Sequence, residues 1–324
     1  MAFSFVPQQT VVYVRMPNWI GDFCMCLPIL NTLLAHRARV VVVGRPWAAD
    51  LLRGYQLAGF IPIQGKAWSD AQTIRRFRQQ QAHKQAAGLI LPDSLSSALT
   101  FKLAGLPSGG YRDDGRSMLL KWPITKPSCP MHAVEFWYHL ANQVAQKWGL
   151  MLAPEPSKML DLALTETAWA ACDAVITAYS LQNKKWVLIA PTATGEHKGQ
   201  NKVWPYFAEL TQALQAQGIA VVMCPPNHER EQALQTVPAA TLLPPLSLDA
   251  FVALCTRANL VVCNDSGVSH LAAAGNARAL TLFGVTRPTR TSAWSSQAKS
   301  LGTEGEWPLL NDVLDELASE LQST

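Results

Sequence analysis

Short runs of β-branched and aliphatic residues alternate with longer amphipathic stretches along the first half of the chain. The runs have the length and composition of buried strands, and the stretches have the 3.6-residue period of helices. This pattern predicts strands at 11–15, 40–43 and 88–91 and helices at 22–36, 68–85, 94–104 and 132–148. Strands that alternate with helices in this way predict a parallel sheet covered by helices.

The alternation restarts after a proline-rich stretch at residues 153–157, which is typical of a linker. Strands are predicted at 186–190, 219–224, 260–263 and 280–283, the last of which closes the sheet, and helices at 166–179, 206–217, 248–258, 266–274 and 307–321. We therefore expect two doubly wound domains, at 1–155 and 156–324, with ligands bound at the carboxyl ends of their strands. The final helix is a candidate to pack back on the N-terminal domain.

Length and composition agree with this organisation. The 324 residues suit two domains of about 150 residues each. No apolar run is long enough to span a membrane, and the N-terminus lacks a signal-peptide pattern, so we expect a cytoplasmic protein. The seven cysteines contain no Cys-x-x-Cys pair, which disfavours a disulfide framework or a zinc site.

Charge is distributed unevenly along the chain. Residues 1–160 carry 17 Lys and Arg against 8 Asp and Glu, whereas residues 161–324 carry 10 against 15. A basic half indicates an anionic partner, such as a phosphorylated substrate, a nucleic acid or a membrane surface. Ordinary scatter of charge explains the same numbers, so charge alone leaves both interpretations open.

The first segment with chemical potential is Arg-Met-Pro-Asn-Trp-Ile-Gly-Asp at residues 15–22, between the first predicted strand and helix. Asp22 opens that helix. It is either a helix N-cap, a role that aspartate favours, or a general base at the mouth of an interdomain cleft. The residues alone favour the cap.

The second segment is Asn-Asp-Ser-Gly-Val-Ser-His at residues 264–270, again between a strand and a helix. Ser266 and Gly267 would present backbone N–H groups at the positive end of the helix, which suits a diphosphate. Asp265 would cap the helix or orient a neighbouring group, and His270 follows one turn later. The alternative is a capped helix with a packed histidine.

The third segment combines a hydroxyl-rich loop with Lys202-Val203-Trp204-Pro205. Thr192 and Thr194 could donate hydrogen bonds to phosphate oxygens, and Lys202 could neutralise a diphosphate leaving group. A solvated surface lysine is the simpler explanation of Lys202. The chain has no P-loop, Gly-x-Gly-x-x-Gly, Gly-x-Ser-x-Gly or Asp-x-Asp sequence, which disfavours ATPases, dehydrogenases, hydrolases and a dedicated metal site.

Together these segments resemble the heptosyltransferase family, glycosyltransferase family 9, whose members are ADP-heptose:lipopolysaccharide transferases. Residues 15–22 are similar to the N-terminal signature of the heptosyltransferase II branch. Residues 264–273 are similar to the donor-site signature, and residues 202–205 to its Lys-x-Trp-Pro element; 91–94 and 132–135 also match. The resemblance implies a GT-B fold, with two Rossmann-like domains facing each other across a cleft.

The resemblance also implies roles for individual residues. Asp22 would be the general base of an inverting displacement, and Lys202 would be the second catalytic residue, in contact with the phosphates of the leaving group. The donor would contact Thr192, Thr194, Lys202, Glu229, Asp265, Ser266, Gly267 and His270. No metal or other cofactor would be required, because the nucleotide sugar is itself a substrate. Arg287 stands where similar proteins have an acidic residue, which leaves the donor sugar open.

For the basic half of the chain, the resemblance implies a specific partner: a lipid-linked anionic oligosaccharide acceptor. The residues predicted to bind it are Asn18, Trp19, Arg75, Arg76 and Arg112. Peripheral contact with the cytoplasmic face of the inner membrane would accompany this role. Three alternatives remain: a family member with another donor or acceptor, a catalytically silent nucleotide-sugar-binding protein, and a nucleic-acid-binding protein. No nucleic-acid recognition motif supports the last of these, so no such partner is expected.

Overall fold

The computed structural model describes residues 3–81, 85–193, 196–197 and 199–322. The chain divides into two compact units, Met1–Ser157 and Lys158–Thr324. Each unit contains a six-stranded sheet with covering helices, so the predicted α/β class is confirmed. Among the described residues, no helix combines the length and apolar character needed to cross a membrane.

The N-terminal sheet is entirely parallel, with the strand order β3-β2-β1-β4-β5-β6. Its strands are β1 (Thr10–Arg15), β2 (Arg39–Gly44), β3 (Gly59–Pro62), β4 (Gln85–Ile90), β5 (Ser108–Tyr111) and β6 (Trp122–Ile124). The chain leaves β1 in one direction and returns to its other side at β4. Doubly wound folds bind ligands at such a switch point, beyond the carboxyl ends of the strands.

In the described part of the N-terminal unit, six α-helices accompany this sheet. They are α1 (Ile20–Met25), α2 (Leu27–Ala35), α3 (Ala48–Leu51), α4 (Ala67–Gln80), α5 (Leu95–Leu103) and α6 (Ala133–Lys147). α4 and α5 pack against each other, and they bury Ile74 and Phe101 in one core with Tyr13 of β1. α6 packs against α2, β5 and β6.

The single helix predicted at 22–36 is wrong, because the structure has α1 and α2 with Cys26 between them. Pro28 lies in the first turn of α2. Proline has no N–H to donate, and its ring clashes with the carbonyl four residues earlier, so one continuous helix cannot form there. The break holds α1 as a short separate turn directly after the loop that follows β1.

The strands β3, β5 and β6 were not predicted from the sequence. β5 reads Ser-Gly-Gly-Tyr, which lacks the β-branched residues that mark a strand. Packing explains its composition, since a Cβ on Gly109 would lie 2.5 Å from a methyl carbon of Val144 in α6. The glycine is needed for close approach of the helix to the sheet.

The C-terminal sheet is also parallel, with the order β11-β10-β7-β12-β13-β14. Its strands are β7 (Trp186–Ala190), β10 (Ala220–Met223), β11 (Thr241–Leu242), β12 (Leu260–Asn264), β13 (Ala279–Leu282) and β14 (Ala298–Leu301). A separate antiparallel pair is formed by β8 (Glu196–His197) and β9 (Gln200–Asn201). The expectation that 280–283 is the last strand is wrong. β14 extends the sheet at its edge, where a polar sequence such as Ala-Lys-Ser-Leu suffices.

Among the described residues of this unit there are seven α-helices. They are α7 (Glu166–Ala178), α8 (Phe207–Ala216), α9 (Arg230–Thr236), α10 (Leu248–Arg257), α11 (Gly267–Ala274), α12 (Pro288–Thr291) and α13 (Leu310–Gln322). α13, the last helix, buries Val313 and Leu317 in the same core as Trp204 and Phe207. It therefore contributes to the core of the C-terminal unit.

Candidate active site

Polar side chains gather at the carboxyl ends of β7 and β12, which are neighbours in the C-terminal sheet. Asn264, the last residue of β12, is fully buried. Its side-chain amide donates to the carbonyl of Ala190 at 3.2 Å, and its side-chain oxygen accepts from the backbone N–H of Trp204 at 2.8 Å. Asn264 therefore joins the ends of both strands to the Lys-x-Trp-Pro segment.

Trp204 fixes that segment on its other side. Its indole is buried, and Nε1 donates to the carbonyl of Pro308 at 2.9 Å. The ring also makes edge contacts with Tyr206 and Phe207. Buried polar groups must find hydrogen-bond partners. The bond from Nε1 to Pro308 and the bond from the backbone N–H to Asn264 therefore hold the tryptophan in one position. Lys202, two residues earlier, is positioned as a consequence.

Lys202 lies against Asp265, the residue after β12. Its Nζ is 3.2 Å from the Oδ2 of Asp265, and the two side chains are only 21% and 9% exposed. A solvated surface lysine does not fit this environment. Thr286, on the loop after β13, donates its hydroxyl to the same Oδ2 at 2.5 Å. The carboxylate is thus shared between a cation and a hydroxyl.

The first turn of α11 begins beside this pair. Ser266 is the N-cap, and its Oγ accepts from the backbone N–H of Val268 at 3.3 Å. Gly267 is the first helical residue, and His270 lies buried one turn later. The structure therefore places the four predicted residues of this segment together, at the positive end of a helix dipole.

Thr192 and Glu229 meet at the ends of β7 and β10, which are also neighbours in the sheet. The hydroxyl of Thr192 donates to Oε2 of Glu229 at 2.5 Å. Thr192 is buried, and Glu229 is mostly buried. The sequence indicated both residues separately, and the structure shows them as one hydrogen-bonded pair. Thr194 lies outside the described residues.

In the N-terminal unit, the segment after β1 carries Asp22. The N-cap of α1 is Trp19, and Asp22 lies inside the first turn, so the interpretation of Asp22 as a helix N-cap is wrong. Asp22 is partly exposed. Behind it, burial and then the charge of Asp22 raise the pKa of the Cys24 and Cys26 thiols. Both cysteines are therefore neutral packing residues.

Arg15 supports the same segment from the end of β1. Its guanidinium is buried and donates to the carbonyl of Met16 and, at 2.6 Å, to the side-chain oxygen of Asn18. Burial lowers the pKa of Arg15 to about 10, so the group stays charged at neutral pH. Trp19, by contrast, is 74% exposed. Asn18 is held in place while its neighbour faces solvent.

The predicted basic residues separate into two groups. Arg112 directly follows β5 and is exposed at the carboxyl edge of the sheet. Arg75 and Arg76 lie in the second half of α4, which runs antiparallel to the strands that it connects. Phe77 of that turn packs against Gly59, the first residue of β3, so this end of α4 is near the amino edge. The structure does not bring Arg75 or Arg76 to Asp22.

Arg75 has a structural contact instead. Its guanidinium donates to the carbonyl of Leu103 at 2.8 Å, and Arg78 donates to that of Ala104 at 2.7 Å. These carbonyls belong to the C-terminal end of α5, where cations are favourable. The basic face of α4 thus caps a neighbouring helix.

The polar residues at the carboxyl ends of β7, β10 and β12 and on the adjoining loops form the C-terminal site. Two of its members, Asn264 and Thr286, have no role predicted from the sequence. Asn264 was seen as part of a signature, but its bridging position depends on the pairing of β7 with β12. Thr286 is 21 residues from the carboxylate that it contacts, and no local pattern connects them. Its position shortly after a strand is the one signal that could have indicated it.

Comparisons with known proteins agree with this geometry. A model of glycosyltransferase family 9 (heptosyltransferase) matches residues 74–313. Lipopolysaccharide heptosyltransferase 2 of Escherichia coli (strain K12) is 27% identical over 313 residues, which cover 89% of this chain and 86% of that protein. The family match includes every described residue of the C-terminal site.

Two solved structures are similar over nearly their whole length. The E. coli ADP-heptose lps heptosyltransferase II matches with a TM-score of 0.77 and 25% identity, covering 96% of this chain and 98% of that chain. E. coli heptosyltransferase WaaC with ADP matches with a TM-score of 0.74 and 21% identity, covering 96% and 99%, a likeness of fold. Because the family model covers most of the sequence and the whole described C-terminal site, the chain belongs to glycosyltransferase family 9 and is a glycosyltransferase.

Proposed function

We propose that this enzyme transfers a heptose from ADP-heptose to the inner core of lipopolysaccharide. The observation that carries the proposal is the cluster of Lys202, Asp265 and Thr286 at the N-terminus of α11. A lysine and a positive helix end form a site for an anionic diphosphate. The similarity to lipopolysaccharide heptosyltransferase 2 and to ADP-heptose lps heptosyltransferase II supports the choice of donor and acceptor.

In this proposal the C-terminal site holds the nucleotide sugar. Lys202 exchanges part of its contact with Asp265 for the diphosphate and stabilises the negative charge that develops as ADP leaves. Ser266, Gly267 and His270 face the same group from the start of α11. Thr192 holds Glu229, whose carboxylate accepts a hydrogen bond from a ribose hydroxyl.

Asp22 is the general base of the proposed reaction. It takes the proton from the acceptor hydroxyl while the oxygen attacks the anomeric carbon and the bond to ADP breaks. One displacement of this kind inverts the configuration of the anomeric carbon. The position of Asp22 supports the role, because it is partly exposed on the loop-and-turn that follows the central strand β1.

The reaction is proposed to need no metal cofactor, since Lys202 and the end of α11 provide positive charge beside the diphosphate. The acceptor is proposed to contact Asn18, Trp19 and Arg112, which share the carboxyl edge of the N-terminal sheet with Asp22. An acceptor of this kind is lipid-linked and anionic, so peripheral contact with the cytoplasmic face of the inner membrane belongs to the same proposal.

The proposal is tested by ADP release from ADP-heptose with purified inner-core acceptor in the presence of EDTA. We expect acceptor-dependent release, and a product with inverted anomeric configuration by NMR. In Asp22→Asn the rate should fall by roughly 10²- to 10⁴-fold, the contribution of a general base, while ADP affinity measured by calorimetry is unchanged.

Each other outcome has a definite meaning. No release from the wild type despite ADP binding rejects heptosyl transfer to this acceptor. Release that stops in EDTA and returns with a divalent cation rejects the metal-free reaction, and a wild-type rate in Asp22→Asn rejects the role of Asp22 as the general base.

A different donor sugar is the second candidate, because Arg287, next to Thr286, is exposed and paired with Glu304. A panel of ADP-sugars distinguishes the two.

A further inference from the structure

A second group of charged side chains lies in the N-terminal unit, outside the donor site. Asp93 follows β4, Asp113 and Arg116 follow β5, and Lys126 follows β6. Because these strands are parallel neighbours, all four residues lie at the carboxyl edge of the sheet.

The four side chains form one connected network. The Nζ of Lys126 lies 2.6 Å from Oδ2 of Asp93 and 2.8 Å from Oδ2 of Asp113. Arg116 is the fourth member of the network. Its Nη1 lies 3.2 Å from Oδ1 of Asp93, and its Nε donates to the backbone carbonyl of Asp113 at 2.9 Å. Two cations therefore hold two carboxylates.

The network has a buried base and an open rim. Arg116 is 2% exposed, whereas Asp93, Asp113 and Lys126 are 34%, 38% and 35% exposed. Within the described part of the chain, Nη2 of Arg116 has no hydrogen-bond acceptor, and Oδ2 of Asp113 is 3.7 Å away. A buried ion pair is weak evidence for a gain in stability, so a role in binding is the hypothesis for this network.

The network borders the residues already proposed to bind the acceptor. The backbone N–H of Leu91 donates to the carbonyl of Arg15 at 3.1 Å, so the loop with Asp93 runs beside the end of β1. The backbone N–H of Arg112, next to Asp113, donates to the carbonyl of Ile124 at 2.9 Å. The loops after four adjacent strands are thus joined at this edge.

The net charge of the network determines which kind of ligand it can bind. Two carboxylates and two cations have no net charge, so a phosphate gains no attraction and meets the exposed carboxylates. Sugar hydroxyls instead find both acceptors and a donor, in charge-assisted hydrogen bonds that are stronger than neutral ones. Hydrogen bonds with Lys126 hold the pKa of the Asp113 carboxyl below its usual value. Burial lowers the pKa of Lys126, but its hydrogen bonds with Asp113 and Asp93 outweigh that effect, and the pKa of Lys126 is raised. Asp113 and Lys126 are therefore charged at neutral pH.

Resting on the proposed function, we infer that Asp93, Asp113 and Lys126 form an acceptor subsite for the hydroxyls of an uncharged sugar unit. Arg116 is a positioning residue that holds the two carboxylates from beneath. The subsite lies beside Arg112, which would contact the anionic part of the same acceptor. The two kinds of contact divide the recognition of one oligosaccharide between neighbouring loops.

The test uses Asp113→Asn and Lys126→Met, with Asp114→Asn as the matched control. Asp114 is the exposed neighbour of Asp113, and asparagine tolerates its positive φ of 53°. Each of the two subsite variants should raise the acceptor KM at least about 10-fold, the loss of one charged hydrogen bond, with donor KM and ADP affinity unchanged. The control should stay within about twofold of the wild type. An unchanged acceptor KM, or an equal loss of ADP affinity, overturns the inference.

A binding measurement separates this inference from the proposed reaction. Saturation-transfer NMR with a methyl heptoside and its phosphate ester needs no turnover. We expect the neutral glycoside to bind the wild type and Asp114→Asn, and to lose its signal with Asp113→Asn. Absence of binding to the wild type, or stronger binding of the phosphate ester that Asp113→Asn does not weaken, overturns the subsite. Binding of the neutral glycoside without ADP-heptose turnover refutes the proposed reaction alone.

Discussion

The carboxyl edges of the two sheets differ in how their polar side chains are held. At the C-terminal edge, Asn264 and Asp265 are buried, and each is bonded to neighbouring loops of the same unit. At the N-terminal edge, Trp19 and Arg112 face solvent, and the rim of the charge network beside them is partly exposed. The first arrangement suits a compact ligand with fixed charge, and the second suits a larger partner with many hydroxyls.

Burial explains why the polar side chains of the C-terminal edge are bonded to one another. A polar group removed from water must find a hydrogen-bond partner, and its electrostatic interactions become stronger there. Lys202, Asp265 and Thr286 satisfy one another. These contacts hold the lysine beside the start of α11, and a fixed position is what effective charge stabilisation requires.

The strongest test of this contrast is Lys202→Met. Removing the cation should lower kcat/KM by roughly 10²- to 10³-fold, because the diphosphate loses its neutralising group. ADP affinity should fall too, since Asp265 is left buried beside the anion. Acceptor binding by NMR should not change. Lys184→Met, at an exposed lysine of the same unit, is the control. Undiminished ADP affinity in Lys202→Met would show that the C-terminal edge is not organised around an anion.

A smaller effect is expected from Thr286→Val. The substitution keeps the shape of the side chain and removes the hydroxyl that holds Asp265. We expect kcat to fall about 10-fold, the energy of one hydrogen bond to a charged group, with a smaller change in donor KM. Thr286→Ser should restore most of the rate. A wild-type rate in Thr286→Val, or a loss in Thr286→Ser as large as in Thr286→Val, would mean that the hydroxyl does not account for the effect.

The sequence predicts the elements whose own residues carry the signal. β1, β7 and β12 are runs of buried aliphatic residues, and the structure contains each of them within one residue of the expected ends. The helix expected at 132–148 appears as α6, with His132 and Glu135 forming a capping box. The segment at 264–270 was indicated as a site because a strand, a cap and a helix follow one another there.

The remaining features depend on contacts that are distant in the sequence. The approach of β5 to α6 depends on Gly109, which gives no local sign of its contact with Val144. Thr286 and Asp265 meet only because β12 and β13 pair. The charge network of Asp93 and Lys126 likewise requires the order β4-β5-β6, which the sequence alone did not give.

The smallest effects separate two arginines that the sequence grouped together. Arg112→Gln should raise the acceptor KM about three- to fivefold, the range of an exposed charge contact. Arg75→Gln should leave that KM unchanged and instead lower the free energy of unfolding by about 0.3–1 kcal/mol, measured by urea denaturation, because the end of α5 loses its cation. Arg112→Gln should in turn not alter the urea midpoint. If Arg75→Gln weakened acceptor binding as much as Arg112→Gln, recognition would extend to the amino edge of the sheet, and the contrast between the two carboxyl edges would have to be redrawn.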